Sequence, residues 1–381
     1  MPVDVVIGAQ RGDEGKGNFC AYLGLNGDYS ISLRSSSPQA GHSIYLDGKR
    51  IGIAHLPCAC VNPNLRILLG GGSFISPEKI FYGGQDFRPH TGETIPIEAE
   101  IPTLGLTPER LGIDYRAKLV TSEHKRKERA NDRIMGLGSV GSGVNSAKED
   151  LLYKDATFVS SDPELKKFVV DTIEEMYAAL ENRKNILFET DHGMELCQHF
   201  GVFPYTTART INTSAYLGEV GLPPQSVRDV YLVTKPYISV VAKEGPLKEE
   251  ITNQKVLEEL IFQGGETGSI SGRQRRAGKF DEKSFQKSIR MSGATKIAIS
   301  HLDLSSETWR EVGFKNDREF LDKIKYLASE TWPYPKISLL SYGPKIEDIK
   351  EYNKTDLQNL AKISAYYAKK IGSITAERKK T

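Results

Sequence analysis

Residues 3–19 read VDVVIGAQRGDEGKGNF, and the fold follows from how that stretch is parsed. VDVVI is a short, β-branched apolar run of the kind that forms a buried strand. It leads into a loop carrying Gly8, Gly12, Gly15 and Gly17, and then into a segment that reads as a helix. Strand, glycine loop and helix in that order point backbone N–H groups at an anion. Lys16 would add a point charge. A standard phosphate loop is G-x-x-x-x-G-K-[ST], whereas Gly17 follows the lysine in this chain and the hydroxyl that normally holds magnesium is missing. Asp13 is placed to supply a metal ligand instead, or to take a proton. The bland alternative is a tight, solvated turn.

The same alternation recurs along the chain. RILLGGG, NILFET, DVYLVTKPYISVV, KIAISHLDL and KISLLSYG read as further strands, and 162–183, 252–265 and 355–372 as helices. Asp162 is the expected cap of the first helix, ahead of Pro163. Strands alternating with helices predict an α/β fold, a single large domain over 1–381 with a central, mostly parallel sheet flanked by helices. Residues 350–381 are expected to add a C-terminal helical segment. In such sheets the loops after the strand C-termini form the site.

Composition narrows the class. Of 381 residues, 39% are hydrophobic and 26% charged, and the formal net charge is +2, so no global field argues for nucleic acid or a membrane surface. No apolar run reaches membrane-spanning length. Cys20, Cys58, Cys60 and Cys197 form no C-x-x-C pair, which fits a reducing, cytoplasmic setting.

Five further stretches carry candidate chemistry. SPQAGHSIY (37–45) places His42 on a small-residue loop, as a general acid or a turn cap. MGLGSVGSGVNSAK (135–148) suits backbone wrapped round a phosphate. The charge run upstream of it, SEHKRKERANDR, reads as a solvated helix face. In FETDHGMELCQHFGVFPYTTAR (188–209), His192, Glu195 and His199 fall at helical spacing, so a metal site is conceivable, although Gly193 and Gly201 favour a substrate-contact loop. GSISGRQRRAGKFD (268–281) has arginines suited to bidentate capture of carboxylates. In AISHLDL (298–304), Asp303 could accept from guanine N1–H and the 2-amino group; the bland reading is a helix cap.

The order of these elements resembles adenylosuccinate synthetase: GAQRGDEGKG, QAGHS, a G-S-x-G-x-G-V loop, FE…FPYTT, SGRQRRAG, HLD and YGPK, spanning residues 3 to about 349. The resemblance implies a ligase that joins L-aspartate to C6 of a purine 5′-monophosphate through a 6-phosphoryl intermediate. By resemblance, Asp13, His42 and Lys16 are catalytic, and Asp13 with the Gly41 carbonyl holds Mg2+. Gly12, Gly15, Lys16, Gly17, Gly41, His42 and Ser43 surround the nucleotide phosphates. Asp13, Gln39, Ser139, Val140, His192, Thr207 and Arg273 fall on the purine monophosphate. Ser271, Gly272, Arg273 and Arg275 fall on aspartate, and His301, Asp303 and Gly343 on the nucleobase. Members of the family are homodimers that lend a basic residue to the neighbour's site, and Lys154 lies near that register.

The departures from the family pattern cluster in the purine and nucleobase pockets. Arg11 replaces a tryptophan, Gln39 an asparagine, Ser139 and Val140 a threonine pair, His192 a glutamine, His301 a lysine and Ile346 an arginine. This is similar to a viral branch that joins aspartate to dGMP, a step towards 2-aminoadenine DNA. Asp13, where some members of that branch carry serine, keeps IMP open as the alternative substrate. Asp303 points to GTP and His301 leaves ATP open. A nucleotide-binding regulator without turnover is the non-enzymatic alternative.

Overall fold

The computed structural model describes residues 2–352 apart from 47–48, 89–92, 243, 263–264 and 267–273. Ten strands, numbered in chain order, form its central sheet: β1 (Val3–Gly8), β2 (Ile31–Arg34), β3 (Arg66–Leu69), β4 (Leu111–Asp114), β5 (Val169–Val170), β6 (Ile186–Gly193), β7 (Val227–Thr234), β8 (Lys296–Ile299), β9 (Lys336–Ser341) and β10 (Ile349–Glu351). Their spatial order is β5-β4-β3-β2-β6-β1-β7-β8-β9-β10. Neighbours run parallel except β9 and β10. From the central β1 the chain builds outward to β5 on one side. It then returns as β6 between β2 and β1, and builds out to β10 on the other side. The crevice at that reversal, outside the strand C-termini, is where a ligand fits in such a sheet.

The parallel strands are buried on both faces, which is why they read as continuous apolar runs. Val3, Val5 and Ile7 of β1 pack into one core with Met176, Tyr216, Leu260, Phe285 and Phe320. Val6 joins the opposite core with Phe19, Cys20, Ile67 and Leu187. Each such side chain contributes roughly 1.5–3 kcal/mol on burial.

Several expected boundaries shift. The helix over 162–183 divides: Leu165–Phe168 is a 3₁₀ turn, β5 follows, and the α-helix is Thr172–Glu181. Asp162 caps only the short turn, accepting the N–H groups of Glu164 and Leu165. Asp171 caps the α-helix. The expected helix over 252–265 is found at Gln254–Phe262. The strand over 229–241 breaks after Thr234, and Tyr237–Val240 pairs instead with Arg276–Lys279. The solvated face expected upstream of 135 is a helix, Ser122–Arg129, that buries His124, Lys125 and Glu128. Of the C-terminal segment, 350–351 lie in β10, and the helix expected at 355–372 lies outside the described residues. No described helix is long and apolar enough to cross a membrane.

Candidate functional site

The loop after β1 is held from inside by Glu14. Its buried carboxylate accepts the N–H groups of Gln10 at 2.8 Å and Gly12 at 2.9 Å, and the Lys16 ammonium at 2.9 Å. Lys16 also donates to the Gly12 carbonyl at 3.1 Å. Burial pushes the Glu14 carboxyl up, but Lys16 and the loop N–H groups outweigh it and hold it below its ordinary value. Gly15, at φ 81, precedes the helix α1 (Lys16–Asn26), a left-handed position that a side chain would strain. Gly12, at φ 98, lies so close to β6 that a Cβ there would sit 3.1 Å from the His192 Cα.

Asp13 points the other way, into a run of buried charges. Its carboxylate lies 2.7 Å from Arg275, which also meets Glu266 at 2.8 Å. Glu266 in turn takes the Lys235 ammonium and, at 2.7 Å, the Tyr237 hydroxyl. Gln10 anchors the turn after β7 by donating to the carbonyls of Lys235 at 3.1 Å and Tyr237 at 3.0 Å. Burial raises the Asp13 pKa above its ordinary value, with Arg275 and Lys235 opposing.

The end of β6 explains the next group. Val6 pairs with Glu189 but Gly8 pairs with Gly193, so 190–192 bulge out of register. Such bulges re-aim side chains beside sites. Glu189, before the bulge, takes the His42 Nδ1 hydrogen and, at 2.6 Å, the Cys58 N–H. Asp191 accepts from Arg34 Nε at 2.9 Å and Arg209 Nη1 at 3.1 Å. Arg34 also donates to the Ala40 carbonyl at 2.6 Å and the Leu56 carbonyl at 2.8 Å, which fixes the approach to Gly41 and His42. His192 adopts φ 56, unusual for a residue with a side chain. Its Nε2 is buried without a hydrogen-bond partner among the described residues. Burial lowers its pKa to about 3, so the imidazole is neutral.

Two cavities meet at Asp13. The first is lined by Gly12, Asp13, Gly15, Lys16, Gly17, Gly41, His42, Ser43, Arg275, His301, Asp303 and Gly343. It brings every described residue expected to hold the nucleotide phosphates or the nucleobase round one space. The second, about 630 Å³, is lined by Asp13, Gln39, Ser139, Val140, His192 and Thr207, with Arg11, Arg133 and Asn145. Gln39 reaches Thr207 across it, Nε2 to Oγ1 at 3.4 Å. Among the described residues Asp13 alone lines both. Asp13 and Gly41 both border the first cavity, and a carboxylate and a backbone carbonyl are the oxygen donor types that suit Mg2+.

Other expected residues fall elsewhere. Ser271, Gly272 and Arg273 lie outside the described residues. Lys154 lines neither cavity; it is exposed, at φ 63, past the end of the helix Val144–Leu152. His42 is not on a loop but opens a strand, His42–Leu46, of a hairpin. Ile346 is buried in the core. The conceivable metal site at His192, Glu195 and His199 is overturned, because 186–193 is strand and the three do not share a helix face. Glu195 instead pairs with Arg11 at 3.1 Å and accepts from Ser284 at 2.8 Å. Three potential ligands do meet at His42, Cys58 and Glu189. There burial pushes the Cys58 thiol well above its ordinary value, and Glu189 already engages His42, so the cluster works as a hydrogen-bonded one.

Glu14, Arg34, Glu189, Asp191, Lys235 and Glu266 were not singled out as site residues by sequence. A carboxylate ending an apolar run, as in ILFE, was the available signal for Glu189.

A model of the adenylosuccinate synthetase family matches residues 5–160 and 155–354. The chain belongs to that family. It is therefore a carbon–nitrogen ligase of the adenylosuccinate synthetase type. An adenylosuccinate synthetase of Thermococcus sibiricus is 30% identical over 356 residues, covering 92% of this chain and 98% of the relative. One from Methanococcus maripaludis strain C5 is 32% identical over 353 residues, covering 91% and 98%. Two solved structures share the fold. The fully ligated adenylosuccinate synthetase of Plasmodium falciparum superposes with a TM-score of 0.76 at 20% identity, covering 93% of this chain and 100% of that one. The succinoaminodeoxyadenylate synthetase of cyanophage S-2L, bound to dGMP and to dATP as an energy donor, does so at 0.75 and 23% identity, covering 96% and 99%.

Proposed function

We propose that this chain joins L-aspartate to C6 of a purine 5′-monophosphate with GTP as phosphoryl donor, and that the purine is dGMP. The observation that carries the reaction is the position of Asp13, the one described residue between the two cavities. A carboxylate there, with its pKa raised by burial, takes the N1 proton of the purine as charge builds on O6. O6 attacks the γ-phosphorus, an O–P bond forms and GDP leaves. The aspartate amine then forms the N–C6 bond and inorganic phosphate departs with O6. Lys16 stabilises the moving phosphoryl charge, and Glu189 fixes His42 beside it through Nδ1, while burial and the Arg34 guanidinium hold the His42 pKa below its ordinary value. Asp13 and the Gly41 carbonyl would hold magnesium, which would supply charge neutralisation to the phosphates. Arg275 is tethered by Glu266 and turns from Asp13 to the incoming aspartate carboxylate.

Support for dGMP comes from the purine cavity, where Gln39, Val140 and His192 depart from the housekeeping pattern, and from the likeness in fold to the cyanophage enzyme that binds dGMP. The neutral His192, with Nε2 unpartnered, offers the purine edge a donor or an acceptor. Identity of 30% or more to archaeal adenylosuccinate synthetases, together with Asp13, supports IMP as the second reading. Phosphate release with magnesium, aspartate and GTP, comparing dGMP with IMP and checking product mass, separates them. Turnover with dGMP is expected, and turnover with IMP alone replaces dGMP. Turnover with neither, with ATP also tried, removes the ligase reading.

The GTP assignment rests on Asp303. Burial pushes its carboxyl up to about 6, and the carboxylates of Asp348 and Glu259 add to the effect. Guanine N1–H and its 2-amino group need the ionised form as acceptor. The folded, nucleotide-free protein holds the proton more tightly than the unfolded chain, so this group favours folding at low pH and loses that contribution as pH rises through about 6. Guanine binding runs the other way: GTP affinity is expected to fall about tenfold between pH 7 and pH 5. Titration calorimetry at both values checks this, and a flat profile would remove Asp303 as the base reader.

The reading extends to a single synthetase-like domain that works as a homodimer in a reducing cytoplasm. Leu152 and Tyr153, 80% and 77% exposed beside Lys154, support a covering partner, and four buried free cysteines support the compartment.

A further inference from the structure

The purine cavity has a second neighbour. Gln39 lines both it and a side cavity of about 620 Å³, whose wall includes Gly71, Phe74, Lys118, Lys148 and Arg209. The three cavities therefore run in series, joined first at Asp13 and then at Gln39. A purine whose N1 faces Asp13 must send its 5′-phosphate away from Asp13, towards Gln39. A phosphate dianion needs a cation at that end.

The charged groups at that end differ in what they already hold. Arg209 is committed to Asp191 at 3.1 Å and to Glu219. Arg116 is committed to Asp114 and Asp171, each at 2.7 Å. Arg11 is paired with Glu195 at 3.1 Å. Lys118, which also forms no described ion pair, donates to the Gly71 carbonyl at 2.8 Å and lies 5.9 Å from the Phe74 ring centroid, with no described contact to the Thr207 segment. Lys148 is different. Its ammonium donates to the carbonyl of Ala208, the residue after Thr207, and lies 5.7 Å from the Phe74 ring centroid. No described carboxylate forms an ion pair with it. It lies on the helix Val144–Leu152 three residues after Asn145, so it shares a face with a residue that lines the purine cavity. The Gln39 amide, the Thr207 hydroxyl and the Lys148 ammonium thus gather along one short stretch of wall.

We propose that Lys148 binds the 5′-phosphate of the purine monophosphate from within the same chain, turning from the Ala208 carbonyl to the phosphate. This rests on the ligase reading above. It assigns to the chain's own helix the charge that the family resemblance would place on Lys154 of a neighbouring subunit.

The experiment is steady-state kinetics and equilibrium binding on Lys148→Met, Lys148→Arg, Lys154→Met and Arg133→Met. The last of these removes an exposed cation that lines the purine cavity. Lys148→Met is expected to raise the KM and Kd for the purine monophosphate about 10- to 100-fold, the worth of one charge-assisted hydrogen bond. It should leave Kd for the matching nucleoside, and KM for GTP and aspartate, unchanged. Lys148→Arg should recover most of the loss. Unchanged GTP affinity and an unchanged far-UV spectrum show that each variant is folded. If monophosphate affinity falls only in Lys154→Met or only in Arg133→Met, Lys148 is not the phosphate ligand. A parallel loss for nucleoside and nucleotide means that Lys148 only shapes the cavity, and overturns the proposal. Failure of the parent protein to turn over any purine monophosphate would instead bring down the ligase reading, which the same assay shows separately.

Discussion

Asp13→Asn is expected to lower kcat by about 10³-fold or more, because an amide cannot take the N1 proton from the purine. The pKa of Asp13 is raised by burial, with Arg275 and Lys235 opposing. That balance suits a base that must accept a proton and later return it. Folding should survive the change. Arg275 keeps Glu266 at 2.8 Å when its contact with Asp13 is lost, so no buried cation is stranded. Phosphate release under saturating GTP, aspartate and purine monophosphate, beside a thermal melt, measures both effects. Retention of more than about a tenth of parental kcat in a folded variant would show that another group takes the proton. A Tm collapse would show that Asp13 is structural.

The second large effect is on stability. Asp191 is fully buried, between Arg34 at 2.8 Å and Arg209 at 3.1 Å. Burial pushes its carboxyl up, but the two guanidinium groups outweigh that and hold its pKa at about 2. The interaction therefore contributes stability at every pH above the unfolded carboxylate range, and that contribution is lost only as pH falls through about 2. Asp191→Ala takes the nearest counter-charge from Arg34, leaving it Glu189 at 3.8 Å, and one of two from Arg209, which keeps Glu219; it should cost roughly 3–5 kcal/mol, which for a chain of this length is a fall in Tm of about 4–7 °C. Arg34 also holds the Ala40 and Leu56 carbonyls, so the Gly41–His42 segment should loosen and kcat should fall with stability. A Tm within about 1 °C of the parent would mean that water or Glu219 replaces the lost carboxylate.

The residues that line the first cavity were largely singled out from the sequence. Gly12 to Gly17 are contiguous, and their strand–loop–helix setting is a local property of backbone and glycine. His42 and Asp303 were singled out because each follows soon after a strand, and strand C-termini in a parallel sheet face one side; Gly343 came from the family resemblance. What failed was local periodicity near element ends. Residues 162–183 looked like one helix because apolar spacing continues through them, but β5 needed an edge position beside β4 and interrupted it. His192, Glu195 and His199 sit at helical spacing, but the strand that pairs with β1 runs through His192 and ends at Gly193, and Glu195 falls in a 3₁₀ turn. The bulge at 190–192 depends on how two strands register, which no single strand displays.

The chain's order of motifs, read alone, determined the α/β class, the anion-binding loop after the first strand and the ligase family. The class and the loop rest on short-range signals, side-chain period and glycine placement, whereas the family rests on the resemblance of the motif order to adenylosuccinate synthetase. Only the tertiary structure decided which charges balance which. Asp13 meets Arg275, His42 meets Glu189 and Lys235 meets Glu266 across separations of 262, 147 and 31 residues. It alone placed Asp13 between two cavities and Lys148 beside Thr207. The physical reason is that burying a charge is unfavourable unless an opposite charge is brought to it, and the partner comes from whichever strand end the sheet order sets alongside.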